Sequence, residues 1–170
     1  MTAAQAWYNQ TYAEQQAPPS HVDGKLYVDP QSTDRDRQWA LWTHLAPLMA
    51  AVVSSGTLAP LGIVWGLYIM HMPGKERPFV ADHGREMFNF SVSYLIYWTV
   101  GSAVVGIVSF GAALIVYLPF LVVMGVLCPI LAAVAGAKGR YYRYPMTIRF
   151  MKAPYEKDDS QDNPPQGQAA

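Results

Sequence analysis

Six side chains in this sequence could do chemistry together: His44, His71, His83, Arg85, Glu86 and Asn89. Imidazoles beside a carboxylate and an amide suit a metal ion, a lipid head group or a docked partner. Metal is the least favoured, because no two histidines here have the i, i+4 spacing that preforms a site on one helix. The plainer role is hydrogen bonding to helix ends, which would fix neighbouring helices to each other. Asn89 is the most demanding of the six. An amide enclosed between helices must find partners, which predicts a bridge to the helix carrying His44 or to the run Tyr142-Arg143-Tyr144-Pro145. Nothing points to catalysis or a cofactor: the chain has no GxSxG elbow, phosphate-cradling glycine loop, HExxH or pair of intramembrane carboxylates, so an enzyme is not expected.

The elements that must position these groups are membrane helices. Met87 to Ala137 is 51 residues without Asp, Glu, Lys or Arg, where one helix needs roughly 20 apolar residues to cross a core of about 30 Å. A second charge-free window of 37 residues lies between Arg37 and Lys75. The chain is 52% hydrophobic and 14% charged, against about 25% charged in soluble domains. Its charges are confined to the two terminal regions and one short loop. The single cysteine, Cys128, excludes an internal disulfide and reads as a small packing hydrophobe.

The predicted fold is therefore all-α and integral to the membrane, with four transmembrane helices as two hairpins. The first two helices are expected over about 36–54 and 58–72, and the second two over about 83–110 and 112–136. Ser32, Thr33 or Asp34 is the expected cap of the first helix and Asp82 that of the third. Trp39 and Trp42 sit where the first helix would meet the head groups. The first hairpin is short, with roughly 15 or 16 apolar residues per helix; it either crosses a thinned bilayer, which is the preferred reading, or re-enters. Pro119 and Pro129 are tolerated in the fourth helix, where neighbours can satisfy the freed carbonyls. Ser102 with Gly106, and Ala132 with Gly136, have the small-xxx-small spacing of close helix contact, either between the third and fourth helices or across a dimer.

Charge sets the orientation. Arg35, Arg37, Lys75, Arg77, Arg85, Lys138, Arg140 and Arg143 all fall outside the hairpin tips. The positive-inside rule then makes both termini cytoplasmic, in a bacterial inner membrane. Residues 1–35 form an N-terminal extension, 36–152 the membrane domain and 153–170 a polar tail. Trp7, Tyr8 and Tyr12 make the extension either an aromatic docking segment or an unstructured tail. Arg140, Tyr141, Tyr142, Arg143, Tyr144 and Arg149 alternate charge and ring in a strip suited to anionic lipid head groups or a partner. Nucleic acid is rejected as a partner, since the strip is tethered to a membrane helix.

Three short motifs carry a resemblance: Trp42-Thr43-His44-Leu45; Pro78-Phe79-Val80 followed by Asn89-Phe90; and Gly139-Arg140-Tyr141-Tyr142-Arg143-Tyr144-Pro145. In order and spacing, over about Arg37 to Phe150, the chain resembles small bacterial membrane proteins classed as a domain of unknown function and related to the twenty-kilodalton subunit of the chloroplast inner-envelope protein translocon. The resemblance implies a four-helix membrane module with a part in translocation or in a membrane complex. The expected function is a non-catalytic accessory or scaffold subunit of a cytoplasmic-membrane complex, with a membrane protein or further copies of itself as partner. The alternatives are an oligomeric translocation or conduction module and an anionic-lipid-interacting protein.

Overall fold

The computed structural model describes residues 28–152, together with the backbone of 21–22 and 25–26; Trp7, Tyr8, Tyr12 and the polar tail lie outside the described residues. Helix α1 (Asp34–Val53) begins on a reciprocal cap. The Thr33 hydroxyl accepts from the Asp36 N–H, and the Asp36 carboxylate accepts from the Thr33 N–H at 3.0 Å. After a turn in which Gly56 has φ +90, helix α2 (Leu61–His71) returns. It has 11 residues, shorter than expected, because residues 57–60 are spent in the turn; at 1.5 Å rise it spans only about 16 Å.

Helix α3 (Pro78–Ile96) opens on a proline, whose missing N–H is no loss at that position and whose φ is already helical. Asp82 is consequently not its cap. The residue lies in the second turn and is buried, with its carboxylate turned to Arg143 and Arg85. A π-helical turn (Tyr97–Gly101) joins α3 to α4 (Ser102–Val108), making one rod; α5 (Leu114–Ala137) returns through Pro119 and Pro129 as a single helix. Ahead of α1, β1 (His21–Val22) and β2 (Lys25–Leu26) form a two-residue antiparallel pair, a small departure from an all-α chain.

Two rods, Pro78–Val108 and Leu114–Ala137, are long and apolar enough to cross a membrane. Only 11% and 17% of their most apolar windows are buried inside the protein, whereas the core helix of a soluble domain would be enclosed. The shorter α1–α2 hairpin packs beside their inner halves. Between its tip and the rods an apolar cleft of about 610 Å³ stays open, walled by Leu48, Val52, Phe90, Tyr94 and Trp98.

Glycine sets the tightest crossing. A Cβ on Gly66 would lie 2.8 Å from the Gly84 carbonyl oxygen, and one on Gly84 would lie 3.0 Å from the Gly66 oxygen, so the backbones of α2 and α3 touch. The predicted pairing of small residues between the last two helices holds only in part. Gly106 faces Leu114, but Gly136 meets Ala40 of α1, and Ala132 packs in a cluster with Phe90, Cys128 and Tyr144. The inner half of α5 leans on α1 and on the segment that follows it, which leaves Ala132 and Gly136 unavailable to a dimer.

Candidate functional site: a buried polar core closed by the segment after α5

Along α3 the polar residues Asp82, Glu86, Asn89 and Ser93 recur at steps of four, three and four, so they share one face, and all four are buried. Leaving them bare would cost several kcal/mol in total, since each unsatisfied buried polar group costs about 1–3 kcal/mol. Their partner is residues 140–151, which lie along this face. Glu86 accepts from the Tyr144 N–H at 3.2 Å. The Tyr97 hydroxyl donates to the Met146 carbonyl at 2.6 Å, where the chain reverses with Met146 at φ +57. On the way back the Ser93 hydroxyl accepts from the Ile148 N–H at 2.9 Å. Asn89 then clasps Met151 with both ends of its amide, each at 2.9 Å. Asn89 thus bridges to the segment after α5, further along it than the Tyr-Arg-Tyr-Pro run.

The ionic part sits at the start of the face. Arg143 makes two bonds to Asp82, at 2.6 and 3.1 Å, and lies 3.6 Å from Glu86; Arg85 reaches Asp82 at 3.3 Å. Two carboxylates and two guanidinia balance. Such a cluster is stable only with good geometry, and the two-pronged guanidinium contact supplies it.

Beside it runs a directed chain of hydrogen bonds. His83 Nε2 lies 3.2 Å from the Arg140 carbonyl, His44 Nε2 lies 2.8 Å from His83 Nδ1, and the Tyr144 hydroxyl lies 2.8 Å from His44 Nδ1. A carbonyl can only accept, so His83 Nε2 carries a proton; with a neutral ring its Nδ1 accepts from His44 Nε2–H, and His44 Nδ1 accepts from Tyr144. Burial first, then Tyr142 and Glu86, hold the Tyr144 hydroxyl well above its usual pKa, so it keeps the proton it donates. Burial likewise pushes Tyr142 up to about 12. Both imidazoles, of His44 and His83, are fully enclosed, and each of their nitrogens is in a hydrogen bond. Among the described residues no group of three or more His, Cys, Asp or Glu could hold a metal ion.

Of the six residues singled out in the sequence, His44, His83, Arg85, Glu86 and Asn89 come together here; His71 does not. It is exposed at the end of α2 and bonds the Leu67 carbonyl. The alternating strip is also not a uniform surface. Tyr141 and Tyr144 are 5% and 3% exposed, and Arg143 is committed to Asp82 and Glu86, because the segment folds back onto α3 instead of lying on the bilayer. Missed in the sequence were Asp82 as an ion-pair residue, Ser93 and Tyr97 as clasps, and Gly62-x-x-x-Gly66 as the close-contact motif. The four-three-four polar spacing on α3 was the available signal for the first two.

Asp29 closes the unit from the other side. Its N–H donates to the Gly139 carbonyl at 2.8 Å and its carboxylate accepts from the Tyr141 hydroxyl at 3.0 Å. Residues 35–151, almost the whole hydrogen-bonded unit from α1 to the Asn89–Met151 clasp, match the magnetosome magnetite crystal formation protein family. The chain belongs to that family. No curated protein and no solved structure matches it. The magnetosome family replaces the translocon-subunit relatives suggested by the short motifs, for which the comparisons give no support. Membership in the magnetosome family places the chain among magnetosome membrane proteins, whose membrane derives from the cytoplasmic one.

Proposed function

We propose that this chain is a non-catalytic membrane scaffold of the magnetosome crystal-forming assembly, with both termini cytoplasmic and the two hairpin tips directed toward the crystal. The observation that carries this reading is the chemistry of the tips. Residues 54–60 and 109–113 contain no Asp, Glu, His, Lys or Arg. Iron in proteins is held chiefly by carboxylate and imidazole side chains, and the tips carry neither, only the hydroxyls of Ser54, Ser55, Thr57 and Ser109. At the other end, the ionisable groups of the core are matched to each other. Within the membrane the surface offered for contact is apolar, along the rods and the turn between them, with Val104, Ile107, Phe110, Ile115 and Val116 all more than half exposed. A chain built this way acts on crystal formation by holding membrane neighbours in place.

The placement of the basic residues supports the orientation, and the family supports the compartment. A short first hairpin that stops within the bilayer leaves the orientation unchanged, since both its ends return to one side.

The test is gentle solubilisation of the untagged chain from its own membrane, with the mass of the intact assembly and the identity of each co-purifying chain. A stoichiometric foreign membrane protein is the expected result. A homo-oligomer without a partner overturns the scaffold reading in favour of a self-assembled module. Orientation is read separately, by single cysteines at Ser55 and Phe110 in a Cys128→Ser background, probed with an impermeant maleimide on sealed vesicles. Labelling of either tip from the cytoplasmic side would refute it.

A further inference from the structure

A second polar place lies apart from the core, where the first two turns of α1 meet the end of α2 and the loop before α3. It is a cleft of about 370 Å³. Arg35, Lys75 and Arg77 line it against the single acid Glu76, and Trp39, Tyr68 and Met72 supply its apolar wall. The lining is therefore cationic on one side and aromatic on the other.

One of the cations is held in position. Arg77 Nη1 lies 3.1 Å from Asp36 Oδ1, as a charge contact without an aligned hydrogen bond, and Asp36 is itself fixed by its cap with Thr33. The Arg77 side chain is only about one-third exposed (32%), whereas Arg35 and Lys75 are exposed at the mouth of the cleft. Asp36 faces the guanidinium from behind, so it orients Arg77 without filling the cleft. Trp and Tyr rings are favoured at the depth of lipid head groups, and arginine is the residue suited to phosphate oxygens. The cleft stands where α1 and α3 begin, at the charged end of the spans.

We propose that this cleft binds the phosphate of an anionic phospholipid from the adjoining leaflet, with Arg35, Lys75 and Arg77 around the phosphate and the acyl chains running down past Trp39, Tyr68 and Met72. The site requires only that the charged end of the protein meet a lipid head-group layer; it does not depend on the crystal-forming role. It also differs from the strip after α5, whose Arg143 is committed to the core.

The full chain, delipidated in detergent, is titrated with phosphatidylglycerol and with phosphatidylcholine at equal concentration, and bound lipid is counted by native mass spectrometry. Wild type should retain phosphatidylglycerol at least about tenfold better, and Arg35→Gln with Lys75→Gln should bring the two lipids to near parity. Lys138→Gln with Lys152→Gln, the same loss of charge elsewhere, should keep the preference. The single Lys75→Gln change, in an exposed loop, should move retention the same way if the double variant is poorly behaved. No preference in wild type, or equal loss in both double variants, overturns the proposal. Complete displacement of the lipid by millimolar inorganic phosphate also overturns it, by showing a site for free phosphate instead.

Discussion

The rod from Pro78 to Val108 contains two different environments. Its first part, α3, buries eleven residues, six of them polar or charged: Asp82, His83, Glu86, Asn89, Ser91 and Ser93. Its second part, the π-helical turn and α4, buries none. The same continuous helix is thus a protein core at one end and a lipid-facing peg at the other. Apolar side chains gain nothing from leaving lipid for protein, so the specificity of this fold rests on polar groups that only one arrangement satisfies. The inner half determines the structure, and the outer half is free to be shaped by neighbours.

The π-helical turn marks the border. The Tyr97 carbonyl accepts from the Ser102 N–H inside the turn and also from the Tyr117 hydroxyl of α5 at 2.8 Å, while the Tyr97 hydroxyl reaches Met146. One residue therefore ties the rod to α5 and to the returning segment.

The sharpest way to break the contrast is Asp82→Ala. It removes the two-pronged partner of Arg143 and leaves that guanidinium with the more distant Glu86; the expected loss is about 3–5 kcal/mol, the usual cost of removing one partner of a buried pair, seen as a large drop in detergent melting temperature. Gly84→Val comes next. Its Cβ would stand 2.9 Å from the Met70 nitrogen, and overpacking of this kind costs about 1–3 kcal/mol; crosslinking between cysteines placed on α2 and α3 would report the parting of the helices. Asn89→Leu removes both bonds to Met151, for an expected loss of about 1–3 kcal/mol, and amide exchange should rise over 146–151 with little change in α5. Smallest of all, Val104→Ala with Val108→Ala should move the melting temperature by the equivalent of about 0.5 kcal/mol or less. A larger effect there would show that the outer half is also a packed interface in the isolated chain.

The membrane character and the approximate helix limits were legible because they depend on composition, and lipid reads composition directly. The gathering of His44, His83, Arg85, Glu86 and Asn89 was half legible: the sequence showed polar groups at similar depth, but not the segment that joins them. Residues 140–151 misled because alternating rings and cations look the same whether they lie on a surface or turn inward, as Tyr141, Arg143 and Tyr144 do. Asp82 misled for a local reason, since a proline four residues earlier started the helix first. Nothing in the spacing of Asp29 and Tyr141, 112 residues apart, foretold their bond.

That bond matters for the parts of the chain beyond it. Asp29 is fastened to Gly139 and Tyr141, and Met151 to Asn89, so the stretches before 28 and after 152 both leave from the charged end of the bundle. Whatever joins the bundle at these two points is therefore presented on one side of it, as a linked pair and not as two independent parts.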